Sequence, residues 1–275
     1  MPPPSAPTYS PVVDPRDRNS LPGGLGANDE IHVPLPPRRG SLRRAPPWVR
    51  RLRDHHRLVL NFCYSDHGLL RWDASPGAAE DAVRRWAPAA ALTLDVPLYG
   101  FMTRAQRDRA TARMPAAVLR AVRAWEPAGI ETIPLVKGLD AQTWGPQLEL
   151  ARQLGLRRCA FHARELLLEH NEEAVRDFVR LANRHGLRPV ILGAFRWRSL
   201  VAAALDAAAS HHYVLARRGR ILDRAGRIRH LHATAYSDLL RTFLRPGDVS
   251  GLTSHNFLRA RALLSRPAPL ARFAS

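Results

Sequence analysis

The chain has 275 residues, 45% of them hydrophobic, and 42 lysines and arginines stand against 24 aspartates and glutamates, a formal net charge of +18. That length and apolar content predict one domain with a sizeable core plus a tail, and a field of that sign favours a polyanion, nucleic acid first, as partner, although arginine- and alanine-rich chains also arise from GC-biased genomes. Two cysteines, Cys63 and Cys159, exclude a disulfide framework or a cysteine metal cluster; the absence of long apolar runs and of a signal-peptide core predicts a cytoplasmic protein with no membrane segment. Residues 1–48, rich in Pro, Gly, Ser and Arg, predict a disordered arm, and 49–275 the folded domain. A short basic helix is expected from Trp48. Beyond it strands and helices alternate: strand 58–64, helix 76–87, strand 90–95, helix 113–129, strand 130–138, helix 144–155, strand 156–163, helix 171–186, strand 187–195, a helix-like segment 197–209, and a sixth strand 211–216. Alternation of this kind with strands apolar on both faces predicts an α/β fold around a parallel sheet. No Gly-rich dinucleotide or phosphate-binding loop follows any strand.

In a parallel barrel the C-terminal ends of the strands converge on one face and form the site. The residues at those ends here include Asp66, Asp95, Lys137, His162 and Gly193, followed by the region from Asp206 to His212. Asp95 directly follows an apolar strand, and the Val96-Pro97 that comes next turns the chain outward. Arg217, Arg218 and Arg220 form a basic turn whose guanidinium groups suit phosphate. A solvated loop is the plain alternative.

Three ordered pieces carry a family resemblance: LDAAASHHYVLARRGRIL at 205–222; AYSDLLRTFL at 235–244, an expected amphipathic helix; and LTSHNFLRARALL at 252–264, an expected helix that begins at Ser254 with His255 and Asn256 in its first turn. In that order and spacing they resemble the C-terminal part of the tRNA-guanine transglycosylase superfamily. The resemblance implies a TIM-type (β/α)8 barrel, here with some strands degenerate, that exchanges a guanine of DNA or tRNA for a 7-deazaguanine-type base. It implies that Asp206 is the nucleophile, although matching both ends of its segment requires an insertion of about two residues, and without it the position falls on Ala208. Asp206 also fits the exposed face of an Ala-rich helix. Asp66, in CYSDHG, is the carboxylate nearest to the family's general base. Asp95 matches its guanine-recognising aspartate, and Lys137 stands where the family has a base-contacting glutamine. His162 to Leu166 replaces a Gly-Gly-Leu.

The family's zinc cysteines are missing, and IRHLHA at 228–233 stands in their place. His230, His232 and His255 are the residues from which an imidazole zinc site would be built. Histidines so spaced more often pack or touch phosphate, so no cofactor is expected. The missing zinc motif and short chain lean towards the DNA-modifying branch. A degenerate barrel that only binds nucleic acid is the alternative, and a homodimer or a partner subunit is left open.

Overall fold

Apolar runs too short for helices form the strands, and in the computed structural model all nine strands of the two main sheets run parallel. The structure describes residues 8–35, 45–62, 75–96, 98, 102–163, 172–193, 206–209, 212–224, 227–230 and 249–265. Four strands, β2 (Glu30–Pro34), β3 (Arg57–Asn61), β4 (Ala90–Leu92) and β5 (Glu131–Ile133), pair in sequence order. Five more, β1 (Thr8–Pro11), β6 (Leu135–Val136), β7 (Arg158–His162), β8 (Arg188–Leu192) and β9 (Asp206–Ala209), pair in the order β1-β9-β8-β7-β6. The protein is thus α/β, with parallel sheets and helices between their strands. A separate antiparallel hairpin joins β10 (Arg220–Leu222) to β11 (Ile228–His230).

The helices are α1 (Pro47–Leu52), α2 (Pro76–Trp86), α3 (Arg104–Thr111), α4 (Met114–Trp125), α5 (Ala141–Gln153), α6 (Glu172–Arg184), α7 (His212–Arg217) and α8 (Val249–Ser265). Successive residues of a strand face opposite sides, and this alternation divides the core. Leu58 and Leu60 pack with Val83 and Trp86 of α2 and Trp125 of α4, while Cys159, Phe161 and Ile191 pack with Trp144 of α5 and Phe178 of α6. The intervening residues, Val59, Leu92, Ile133, Leu135, Ala160, Val190 and Leu192, form a third cluster drawn from both sheets. Strands buried on both faces explain why the sequence reads as continuous apolar runs.

Pro134 separates β5 from β6. It has no N–H to give to a ladder, but its carbonyl accepts from Ala160 N at 2.8 Å, while Ile133 O accepts from Thr93 N at 3.0 Å. The Thr93 hydroxyl takes the next amide, Leu135 N, at 2.9 Å. One extended segment therefore leaves β4 and joins β7. At the other edge Val12 bridges His32 in parallel, with Val13 N donating to His32 O at 2.8 Å.

Three features differ from the sequence reading. Residues 8–35 carry β1 and β2 within the segment read as a disordered arm, and Ile31 and Val33 are fully buried. Composition hid them, because two short strands sit among prolines and glycines. The expected helix through 209 gives way to strand β9 at 206–209, and the expected strand 211–216 is helix α7. Ala is the strongest helix former, but propensity is a weak determinant beside tertiary context, and pairing with β1 on one side and β8 on the other overrides it. Finally, α8 starts at Val249, five residues before Ser254, so His255 and Asn256 lie inside the helix instead of in its first turn.

Candidate active site

The C-terminal ends of β4 and β6 bring Asp95 and Lys137 together, with Lys137 Nζ 2.9 Å from Asp95 Oδ1. The side chains are 4% and 8% exposed for Lys137 and Asp95, so the charges face each other out of water. Asp95 Oδ1 has no hydrogen-bond partner of good geometry among the described residues. A buried acceptor in that condition can take a donor from a ligand. Lys137 is held by its backbone: Gln147 Nε2 donates to Lys137 O at 2.6 Å, and Lys137 N donates to Gln147 Oε1 at 3.2 Å. Gly138 follows at φ +137°, where a Cβ would collide with Thr143 Oγ1. That turn delivers Asp140 to the N-terminus of α5, where it caps Thr143 N at 3.0 Å.

The strand period extends the site. Lys137 lies two residues after Leu135, His162 two after Ala160 and Asn61 two after Val59, so each continues the face of the shared core to the strand ends. The register Val136↔Phe161 sets Lys137 and His162 side by side, and His162 pairs with Leu192, directly before Gly193. Gly193 itself has φ +80°, a conformation open to glycine. Asn61, 1% exposed, escaped the sequence reading. Its signal was a single amide ending the apolar run Leu58-Val59-Leu60.

Asp206 is the first residue of β9, opposite Val190 and Thr8, and Ala208 is level with Leu192 and hence with His162. Its backbone is therefore about 7 Å short of that level along the strand, at roughly 3.3 Å per residue. Arg217 ends α7, Arg218 and Gly219 make the turn, and Arg220 opens β10, so the basic turn is present and Arg218 is exposed. Asn256 is buried and grips that strand: Oδ1 accepts from Leu222 N at 2.8 Å and Nδ2 donates to Arg220 O at 3.1 Å. His255 Nε2 lies 3.3 Å from Leu222 O. Burial lowers the His255 pKa, Arg259 adds to the effect, and the contact with Leu222 opposes it.

Asp66 and His232 lie outside the described residues, as does the expected helix at 235–244; of His230 only the backbone, on β11, is described. Among the described residues no three metal-ligating side chains gather into a group, and no helix is long and apolar enough to cross a membrane. No protein-family model matches the chain, and no curated protein matches it.

The Asp95–Lys137 pair gives a first expected result. Removing one member leaves the other charge buried and uncompensated, at a cost of about 3–5 kcal/mol, whereas replacing both with neutral groups is far cheaper. Urea unfolding should therefore find Lys137→Met and Asp95→Asn each strongly destabilised and the double variant close to wild type. Additive losses in the double variant would show that the two charges do not depend on each other.

Proposed function

We propose that the two parallel sheets close into one eight-stranded (β/α)8 barrel and that the chain exchanges a guanine of nucleic acid for a 7-deazaguanine-type base. Closure is supported by the Val12–His32 bridge at one seam, the β5–β6 segment crossing the other, and the core cluster contributed by both sheets. With β5 and β6 counted as one strand interrupted at Pro134, the strands number eight.

The observation that carries the chemistry is the buried Asp95–Lys137 pair at neighbouring strand ends. The N1 edge of guanine offers donors at N1–H and the exocyclic amine beside an acceptor at O6. An ionised carboxylate next to an ammonium complements that edge, with Asp95 taking the donors and Lys137 donating to O6. Among the standard bases guanine is the one that offers a carboxylate two adjacent donors with an acceptor beside them.

The reaction proceeds on an extruded nucleotide. An Asp206 oxygen bonds to C1′ of the sugar, the C1′–N9 bond breaks, and its electron pair leaves with guanine, which takes up a proton from water. The incoming base loses its N9 proton to Asp66, its N9 bonds to C1′, and the Asp206 carboxylate is released. Two displacements retain configuration at the sugar, as in retaining glycosidases. Arg217, Arg218 and Arg220 supply phosphate contacts, and no redox cofactor takes part. DNA is favoured slightly over tRNA.

The starting position of Asp206 on β9 favours a second reading, a barrel that binds nucleic acid without exchanging bases. One experiment separates the two. The protein is incubated with guanine-containing DNA or tRNA and examined for an adduct that survives denaturation. An adduct is expected, and the substrate that forms it identifies the nucleic acid. Salt-sensitive binding with no adduct on either would leave the binding module.

A further inference from the structure

Where α8 crosses β10, two arginines are held in place with no carboxylate partner among the described residues. Arg220 and Arg259 are each only partly exposed, and the Nε of each is shut off from water with no acceptor among those residues. The nearest carboxylate along the hairpin, Asp223, is already engaged: it accepts from Arg227 Nε at 2.9 Å and Arg229 Nε at 3.0 Å. Arg218, another cation of the turn, is exposed. A packed stem with a guanidinium at the surface has lost its freedom before any ligand arrives.

Hydrogen bonds join the strand to the helix. Leu222 O faces His255, and the carboxamide of Asn256 spans both strand residues, taking Leu222 N and donating to Arg220 O. Arg259, four residues beyond His255, shares that residue's face of the helix. Two elements that touch thus each carry an arginine with no carboxylate partner among the described residues, and the carboxamide of Asn256 pins the strand that carries one of them.

We propose that Arg220 and Arg259, with Arg218 at the rim, form a phosphodiester-binding subsite that Asn256 holds in register. This rests on the reading of the chain as a nucleic-acid protein and deepens it, adding Arg259 and Asn256 of the last helix to the phosphate contacts of the basic turn. The planar guanidinium fork matches two oxygens of a phosphate. Arg220 and Arg259 touch the ligand, and Asn256 is a positioning residue.

The test uses the full chain and a fluorescent single-stranded oligodeoxynucleotide, with affinity measured between roughly 50 and 200 mM salt. Arg220→Gln and Arg259→Gln should each flatten the plot of log affinity against log salt by about 0.7 for every phosphate no longer neutralised. Arg259→Lys, which keeps the charge, should restore the wild-type slope, and melting curves check that each variant folds. Arg184→Gln, at the exposed end of α6, should leave the slope unchanged. Tight oligonucleotide binding with wild-type slopes in both Gln variants would overturn the subsite and leave the nucleic-acid reading standing, as would an equal drop in Arg184→Gln. Inorganic pyrophosphate is the second probe. Binding of pyrophosphate that Arg259→Gln abolishes, with no oligonucleotide binding, would keep the anion site and overturn its phosphodiester assignment. Binding of neither probe overturns both.

Discussion

Asp206→Ala is expected to abolish the denaturation-resistant adduct and to slow base exchange by on the order of 10⁴-fold or more, the scale on which loss of a covalent nucleophile acts. Its affinity for nucleic acid should stay within a few-fold of wild type, because the phosphate contacts come from elsewhere. On the exchange reading, the geometry of a purine sets where the nucleophile must stand. On the proposed reading Asp95 and Lys137 would hold the N1 edge, and N9, with the sugar attached, would lie on the opposite side of the ring system. The nucleophile must therefore stand away from the pair, on a strand that is not its neighbour. β9 meets that condition, since β7 and β8 separate it from β6. Asp95→Asn makes the companion variant. It replaces an acceptor with a group that presents an amide to the guanine donors, so it should weaken base recognition while leaving the nucleophile intact. Adduct formation by Asp206→Ala at the wild-type rate, followed by peptide mapping of the linked residue, would remove Asp206 from the mechanism and point to a carboxylate elsewhere.

Most of the sheet could be read from the chain because its strands are buried on both sides. Leu58-Val59-Leu60, Cys159-Ala160-Phe161 and Val190-Ile191-Leu192 have no polar face to disguise them. β1 and β2 escaped because Ile31 and Val33 are isolated apolar residues among prolines, and only pairing with β3 and β9 makes strands of them. β9 and α7 were exchanged because small alanines carry neither strong period, so their conformation is decided by neighbours far away in sequence. The site followed the same logic. Asp95 and Lys137 were each marked by their position after an apolar run, but their pairing depends on β4 and β6 meeting across 42 residues. Asn256 carried a family signal for the first turn of a helix, yet its carboxamide serves the backbone of β10. A helix start five residues earlier was enough to change its role.

The opposite ends of the strands hold a charge network that the sequence reading passed over, although its signal was plain: Glu30, Arg57, Glu131 and Arg158 each open a strand. Arg158 donates to Glu30 at 2.8 Å and to Glu131 at 3.0 and 3.2 Å, and Arg57 pairs with both acids. His32 Nε2 lies 3.0 Å from Glu30 Oε1. Burial alone would raise the pKa of Glu30, but the hydrogen bond and charge of His32, together with Arg158, outweigh it and lower it from 4.5 to about 2. A carboxyl depressed in the folded state stabilises the fold above its unfolded value. That contribution, on the order of 3 kcal/mol, is lost as pH falls from about 4.5 towards 2. Arg158→Met leaves two partly buried carboxylates with the half-exposed Arg57 and, at Glu30, His32, and should cost on the order of 3 kcal/mol at neutral pH. Because the Glu30 pKa then rises by the part that Arg158 supplied, with His32 still holding it down, the variant should also lose less further stability than wild type between pH 5 and pH 2. Arg158 belongs to one sheet and Glu30 to the other, so the pair also reports on closure. Urea unfolding of Arg158→Met, Glu30→Gln and the double variant should give a coupling of about 2 kcal/mol or more, within the range for residues sharing one ion network. Strict additivity would mean that the two sheets do not share this end, and the closed barrel would fall with it.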